Sequence, residues 1–263
     1  MTNYKCGGWL PDPKNKVYIP FDRTKISGVA ASSSNDVDLR PFVATIYNQG
    51  QTESCVGHGT GSSLELKYCE KFGVDKHVAL SKMDIYWNAR NIMTPQCTNS
   101  DNGANISLAM DALRLYGVCE DAIWPFNQQK INTAPSIISI RQGDLNKITG
   151  HFKIDSTGTQ LIDDIVLNLK NKNPVVFGMT VGSEFQSYTS TSAPISKLTN
   201  PQGGHCTFLC AWINGLFVGC NSWDVNWGYQ GFYFIDPNFL VSGVASDFWV
   251  MQTDFDTYWQ IEK

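Results

Sequence analysis

The sequence predicts an α+β protein in which a helical first half packs beside an antiparallel sheet, with a groove between the two. Helical periodicity dominates before Pro174, β-rich runs dominate after it, and Asn214-Gly215 is a strong two-residue hairpin signal. With 263 residues, of which 42% are apolar, the chain can form one compact core or two lobes that share a cleft.

Each of four predicted helices has an apolar face and a residue type that begins or ends helices at its boundary. Ser54 is placed to cap the first helix through its hydroxyl. In chain order, the helices run from Ser54 or Cys55 to Gly73, from Ser81 with Asp84 completing a capping box, from about Ile106 to Gly117, and from about Gln160 to Lys172 before Asn173-Pro174.

The second half predicts a sheet. Val175 to Val181 is a β-rich run, and the runs Cys206 to Ile213 and Leu216 to Cys220 flank the hairpin turn. Residues 127–159 give no firm signal. At the amino terminus, residues 1–38 differ from the rest because glycines and prolines interrupt regular structure and Gly28 to Asn35 is linker-like. We therefore divide the chain into an extension, 1–38, and a domain, 39–263.

Composition excludes several functions. Net charge is −4, from 20 Lys plus Arg against 24 Asp plus Glu, so a nucleic-acid partner is not expected. The longest strongly apolar stretch, 174–181, is under half of the ~20 residues that cross a bilayer, so no membrane partner is expected. The amino terminus lacks a secretory apolar region, which predicts a cytoplasmic protein. Eight cysteines in a chain of this size predict mostly free thiols.

Cys55 is the best nucleophile, because the amino terminus of a helix favours thiolate over thiol. The segment Asn48-Gln49-Gly50-Gln51-Thr52-Glu53-Ser54-Cys55, the pair Gly204-His205 and the block from Asn221-Ser222-Trp223 to Trp227-Gly228 and Gly231-Phe232 occur in this order. They resemble the three motifs of the papain-like cysteine peptidases. The residue patterns at Leu80-Ser81 and Gly203-Gly204-His205 resemble those of bacterial and viral members of the family more than those of plant or lysosomal members.

The resemblance implies a two-lobed fold, with a helical lobe, an antiparallel sheet or barrel lobe and the active-site cleft between them. It also implies roles. Cys55 attacks the peptide carbonyl, His205 carries the proton, Asn221 fixes the imidazole tautomer and Gln49 helps to stabilise the oxyanion. Taken singly, each residue also has a structural interpretation: Gln49 in a loop, His205 in the core, Asn221 at a strand end.

Substrate-binding residues follow from the same resemblance. Gly103 and Ala104 supply an extended backbone edge, although Asp101-Asn102-Gly103 is equally an ordinary turn. Gly204 leaves room beside the cleft, with Phe177 to Met179 as wall residues, and Trp223 shields the histidine. His58, three residues after Cys55, is a competing base. The family's usual disulfide is absent, since Thr52 stands where many relatives have cysteine.

Strand geometry raises a conflict. A strict Asn214-Gly215 turn places Phe208 opposite Asn221, so His205 and Asn221 lie three residues apart on opposite faces. We predict a bulge, or the chain leaving the ladder, between Gly219 and Trp223.

The extension invites a further hypothesis, because Cys6 to Leu10 is extended and aromatic and is joined by a flexible linker. In this hypothesis, the segment Cys6 to Leu10 lies in the cleft and restrains activity, as a strap or a short propeptide. In the alternative, the segment packs on the back of a lobe. Zinc at Cys206, Cys210 and Cys220 is disfavoured, since the inferred strands put Cys220 on the other face.

The sequence predicts a cysteine endopeptidase that acts on protein or peptide substrates through an acyl-enzyme, with no metal and no organic cofactor. Two alternatives stay open: a catalytically silent peptide-binding protein of the same fold, and an acyl transferase or amide hydrolase that uses the same residues. The sequence leaves the oligomeric state and the cleavage specificity undetermined.

Overall fold

A computed structural model describes residues 4–26 and 36–259, and the predicted linker Gly28 to Asn35 lies outside them. The helices are α1 (Cys55–Phe72), α2 (Lys82–Met93), α3 (Ile106–Leu115), α4 (Ile137–Gly143), α5 (Gly158–Lys170), α6 (Ser183–Gln186), α7 (Pro237–Phe239) and α8 (Phe255–Tyr258). The strands are β1 (Val37–Asp38), β2 (Gly150–Ile154), β3 (Val175–Val181), β4 (Gly203–Ile213), β5 (Leu216–Cys220), β6 (Phe232–Ile235) and β7 (Ala245–Gln252).

The four predicted helices are α1, α2, α3 and α5. α2 begins as expected, with the Ser81 hydroxyl accepting the Asp84 N–H at 3.2 Å. At α1 the predicted side-chain cap is wrong: the Ser54 hydroxyl bonds to Thr52 Oγ1 at 2.6 Å and lies 3.2 Å from His58 Nδ1. The Ser54 hydroxyl therefore serves the loop that precedes Cys55.

The sheet is antiparallel, with strands in the order β2-β7-β3-β4-β5-β6, and β1 pairs with β4 off this path. Over the described residues this path is open, so of the two forms predicted, sheet or barrel, the sheet is the one found. β2 comes from the stretch that gave no sequence signal, as does α4. α4 exposes Ile137, Ile138 and Ile140, which is why no amphipathic period marked it.

The hairpin of β4 and β5 contains the predicted irregularity, with one difference in position. β5 ends at Cys220, so the chain leaves the ladder before Asn221, as expected. The bulge lies on the opposite strand, where Leu209 pairs with Gly219 and Ala211 with Val218. Cys210 is thus the extra residue. Continuing that register puts His205 and Asn221 two residues apart on one face.

The two lobes meet where α1 packs on β4. A side chain at Gly59 would come within 3.1 Å of Cys206 Sγ, so the glycine permits this close approach. The first residue of α1 therefore lies beside the beginning of β4. That junction is where the sequence motifs converge.

Candidate active site

Cys55 is the first residue of α1, and its side chain is fully buried. The backbone N–H of Cys206, the residue after His205, interacts favourably with the ionised form of the sulfur and so works to lower the pKa of Cys55. Burial raises the pKa of the Cys55 thiol well above its usual range, and the Cys206 N–H offsets only part of this. Burial in this conformation therefore favours the neutral thiol over the thiolate.

His205 and Asn221 form a direct pair. His205 Nε2 donates to Asn221 Oδ1 at 2.7 Å, and that oxygen also accepts the Ser222 N–H at 2.8 Å. Trp223 covers the pair, with its ring centroid 4.7 Å from that of His205. Among residues 4–26 and 36–259, His205 Nδ1 has no hydrogen-bond partner. Burial lowers the pKa of His205 to about 4, and the bond to Asn221 works against that shift.

Gln49 is buried in the loop before α1, and both ends of its amide are held. Its Oε1 accepts from Ser222 Oγ at 2.7 Å, and its Nε2 donates to the Thr52 carbonyl at 2.9 Å. The backbone N–H of Gln49 donates to the Ser222 carbonyl at 2.9 Å. Ser222 therefore ties the glutamine loop to the segment that carries Asn221, and one Nε2 hydrogen remains for another acceptor.

His58 does not join this group. Its Nδ1 lies 3.1 Å from the Ser54 carbonyl, and its ring packs edge-on against Phe126 at 4.7 Å. Burial lowers the pKa of His58 to about 3. His58 is a core histidine that bonds back along its own helix, so it is not the competing base.

The four predicted substrate-binding residues border one occupant, an amino-terminal segment that we call the strap, residues 4–12. The Gly204 carbonyl accepts the Gly7 N–H at 2.8 Å. Ala104 donates to the Gly8 carbonyl at 2.9 Å and accepts from Leu10 at 3.0 Å. Trp223 stacks on the Tyr4 ring at 4.6 Å, and a side chain at Gly103 would come within 2.6 Å of the Gly8 carbonyl.

Glycines make this fit possible. A Cβ added to Gly8 would lie 2.1 Å from the Glu53 carbonyl and 2.8 Å from Cys55 Sγ, so Gly8 covers the sulfur. A Cβ added to Gly178 would lie 2.0 Å from the Trp9 ring, so the indole rests on this glycine of β3. Gly178 belongs to the predicted wall, Phe177 to Met179. Gly178, at the centre of the wall, has no side chain, and the Trp9 ring occupies that space.

The far end of the strap is anchored to both lobes. Asp12 Oδ1 accepts the Ser107 N–H at 3.1 Å, and Asp12 Oδ2 accepts Trp249 Nε1 at 2.9 Å. Lys153 lies 3.5 Å from the same oxygen. The strap thus spans the cleft from Tyr4 beside Trp223 to Asp12 beside α3 and β7.

Glu53 is a polar residue of the cleft that the sequence did not single out. Its carboxylate faces Gly7 and pairs with Lys5 of the strap at 3.1 Å. A buried acid two residues before Cys55 belongs to no periodic sequence pattern, so the sequence did not indicate it. All eight cysteines are free, and the described part of the chain has no cluster of three or more His, Cys, Asp or Glu side chains suited to a metal.

The cysteine begins a helix that packs on the strand carrying the histidine of a histidine–asparagine pair, between a helical lobe and an antiparallel sheet, and this arrangement is typical of cysteine peptidases. Comparison with known proteins identifies the family. The profile for "Papain family cysteine protease" matches residues 33–250. The chain belongs to the papain family of cysteine proteases and is a cysteine endopeptidase, a hydrolase of peptide bonds.

Individual relatives agree with this. An uncharacterized peptidase C1-like protein of Acanthamoeba polyphaga mimivirus is 25% identical over 92% of this chain and 84% of its own length. Gamete and mating-type specific protein A of Dictyostelium discoideum is 24% identical, and the match spans 76% of this chain but only 42% of that protein.

Solved structures show the same fold. Xylellain, a cysteine protease from Xylella fastidiosa, superposes with a TM-score of 0.80 at 24% identity and covers 97% of this chain and 98% of its own. Bromelain from Ananas comosus gives 0.63 at 19% identity, over 84% of this chain and all of its own. The predicted papain-like family and the predicted similarity to its bacterial and viral members are confirmed.

Proposed function

We propose that Cys55, His205, Asn221 and Gln49 carry the reaction of this endopeptidase. Cys55 Sγ attacks the peptide carbonyl as a thiolate while the imidazolium of His205 holds the opposite charge. His205 then protonates the departing amine, which leaves a thioester on Cys55. Water, deprotonated by His205, hydrolyses that acyl-enzyme and releases the new carboxylate.

The supporting groups follow from the same geometry. Asn221 Oδ1 bonds Nε2 and so leaves Nδ1 for proton transfer, with Trp223 excluding water from the bond. The spare Nε2 hydrogen of Gln49 and the backbone N–H of Cys55 donate hydrogen bonds to the oxyanion. One such donor stabilises the transition state by about 3 kcal/mol. The observation that carries the proposal is the hydrogen bond from His205 to Asn221, which leaves His205 Nδ1 without a partner among the described residues. The next residue along the chain, Cys206, interacts through its N–H with the Cys55 sulfur.

We propose further that the conformation with the strap in the cleft is an inactive, latent form of the enzyme. The strap covers Cys55 with Gly8 and uses the backbone groups of Ala104 and Gly204 that a substrate needs. With the strap seated, burial favours the neutral thiol and the neutral imidazole. Displacing the strap admits water, which lowers the pKa of Cys55 and raises that of His205, and so permits the ion pair. Residues 1–38 then act as an inhibitory extension of the domain 39–263.

The test is cleavage of an unstructured protein such as casein by the full chain carrying Trp9→Ala, which weakens the strap. We expect new free carboxylate and amine ends, loss of cleavage with Cys55→Ser, and retained cleavage with Cys69→Ser as the matched control. Products that carry a new amide would indicate an acyl transferase. Cleavage that persists with Cys55→Ser would refute the assignment of the nucleophile.

A catalytically silent peptide-binding protein is the second candidate, because the cleft already holds an extended segment. Thiol alkylation separates the two. A strap-weakened endopeptidase has a Cys55 that reacts faster at neutral pH than Cys69, whereas a silent protein has a Cys55 that reacts no faster.

We propose the cytoplasm as the compartment and protein or peptide as the partner, without nucleic acid or membrane. Eight free thiols suit a reducing environment, and the net charge of −4 offers no phosphate-binding surface. Within residues 4–26 and 36–259, no helix combines the length and the apolar character that crossing a bilayer requires.

A further inference from the structure

We propose that Glu53 forms a cation-binding specificity site, which selects substrates with arginine or lysine within two residues of the scissile bond. In the described state, Lys5 of the strap occupies this site in place of a substrate side chain. The inference rests on the proposed role of Cys55 and extends it to substrate choice.

Glu53 is placed by the backbone that holds the nucleophile. It precedes Cys55 by two residues, and its carbonyl oxygen lies against Gly8, the residue over the sulfur. Its carboxylate lies beside Gly7, where an added Cβ would be 3.0 Å from Oε2 and 3.2 Å from Oε1. A peptide bound across Cys55 therefore passes the Glu53 carboxylate one residue away from the point of attack.

The carboxylate is incompletely satisfied. Only 11% of the Glu53 side chain is exposed, and Oε2 is buried with no hydrogen-bond partner in the described part of the chain. Oε1 lies 3.1 Å from Lys5 Nζ, the cation that pairs with Glu53 among the described residues. The pKa of Glu53 is raised first by burial, Lys5 works against this, and the nearby Asp101 adds to it.

The neighbouring groups add negative charge or are already committed. Asp101 Oδ2 accepts the Glu53 N–H at 3.0 Å, and Asp101 Oδ1 accepts the Tyr86 hydroxyl at 2.7 Å. Arg90, a buried cation, stacks 4.0 Å above the Tyr86 ring, and its two terminal nitrogens donate to backbone carbonyls and to Asn132. None of these groups neutralises Glu53 from the cleft side.

When the strap leaves, Lys5 leaves with it, and the Glu53 carboxylate faces the cleft without the cation that paired with Oε1. A substrate that covers this carboxylate again without pairing it buries an unpaired charge, which is costly, so a ligand that brings a cation is favoured over one that does not. A guanidinium can bond both carboxylate oxygens, which an ammonium does less well. The chemistry thus selects Arg over Lys, and both over neutral or acidic residues, which lose affinity beside Glu53 and Asp101.

The experiment uses the full chain with Gly8→Ala, which opens the cleft, and three peptides that differ at one position. A peptide library with cut sites read by mass spectrometry first locates the position with the strongest preference. Arginine, its neutral isostere citrulline and glutamate are then compared there. We expect kcat/KM to favour arginine over citrulline by about tenfold, and glutamate to be the poorest.

Glu53→Gln in the same background should bring the rates for the arginine and citrulline peptides together, and its urea midpoint, compared with that of the parent chain, shows whether the variant folds. Glu53→Lys should favour the glutamate peptide. Equal rates for the three peptides, with cleavage that depends on Cys55, would overturn the inference and leave the proposed function intact.

A binding measurement covers the case in which nothing is cut. With Cys55→Ala added, fluorescence anisotropy of the labelled arginine and citrulline peptides reports affinity without turnover. We expect arginine to bind about tenfold more tightly, and this difference to vanish with Glu53→Gln. Equal affinities would refute the site, whereas preferential binding without hydrolysis by the Cys55-containing chain would refute only the proposed function.

Discussion

Gly8→Ala should convert the covered cleft into an open one. The added Cβ would lie 2.1 Å from the Glu53 carbonyl oxygen and 2.8 Å from Cys55 Sγ. The Glu53 carbonyl is backbone and cannot turn aside, so the strap has to move. This one methyl group tests whether the strap controls access to the sulfur.

The size of the effect follows from what holds the strap in the cleft. The backbone bonds at Gly7, Gly8 and Leu10 are each worth about 1 kcal/mol net. Forcing a methyl group into a packed site costs ~1–3 kcal/mol. A change of this size raises the open fraction by ~5- to 150-fold.

Alkylation of Cys55 by iodoacetamide, quantified by peptide mass spectrometry, measures that fraction because the reagent reaches only an uncovered sulfur. We expect the Cys55 rate to rise within this range in Gly8→Ala and the Cys69 rate to stay constant. Gly150→Ala is the matched control, since the nearest atom to its Cβ would be the flexible end of Gln252 at 3.2 Å and the next, Gln252 Cβ, lies at an ordinary 3.9 Å. Equal Cys55 rates in Gly8→Ala and the wild type would show that the strap does not gate the cleft.

Three further predictions concern other parts of the molecule. Gly178→Leu, which occupies the place of the Trp9 ring, should open the cleft as Gly8→Ala does, seen as faster Cys55 alkylation; an unchanged rate would contradict it. In a strap-weakened background, Asn221→Ala should lower kcat ~100-fold with little change in KM, because His205 loses its orientation; full activity on a peptide substrate would count against the pair. The pKa of His58 is ~6.5 in the unfolded chain and about 3 in the folded protein, so His58 lowers the free energy of unfolding as the pH falls between these values. His58→Phe should flatten the pH dependence of the urea midpoint from pH 6.5 to 4, and an unaltered slope would refute this.

The candidate site could be predicted because three motifs, around Gln49 and Cys55, at His205 and at Asn221, resemble those of the papain-like peptidases. The helix begins at Cys55 as expected, and the Asn214-Gly215 turn joins the strand of His205 to the strand that ends before Asn221. The position of the bulge could not be predicted, because a ladder can absorb an extra residue on either strand. The structure places it at Cys210, where the carbonyl is free to accept the Leu39 N–H at 2.9 Å.

Other features depend on tertiary contacts that no local pattern records. The Ser54 hydroxyl turns to Thr52 and His58 rather than to its own helix. The seating of Trp9 on Gly178 joins residues that lie far apart in the chain. Gly178 did carry a signal, since a glycine inside a strand often marks the close approach of another group.

The extra residue at Cys210 also bears on which changes the hairpin tolerates. It occupies the bulge through its backbone, so replacing its side chain with another of similar size leaves the geometry alone. Inserting one residue between His205 and the turn would instead rotate the imidazole away from the amide, although every proposed catalytic side chain would still be present. The number of residues along β4 therefore matters to the proposed His205–Asn221 pair as much as their identity does, and an alignment that scores only identical residues would not detect such a change.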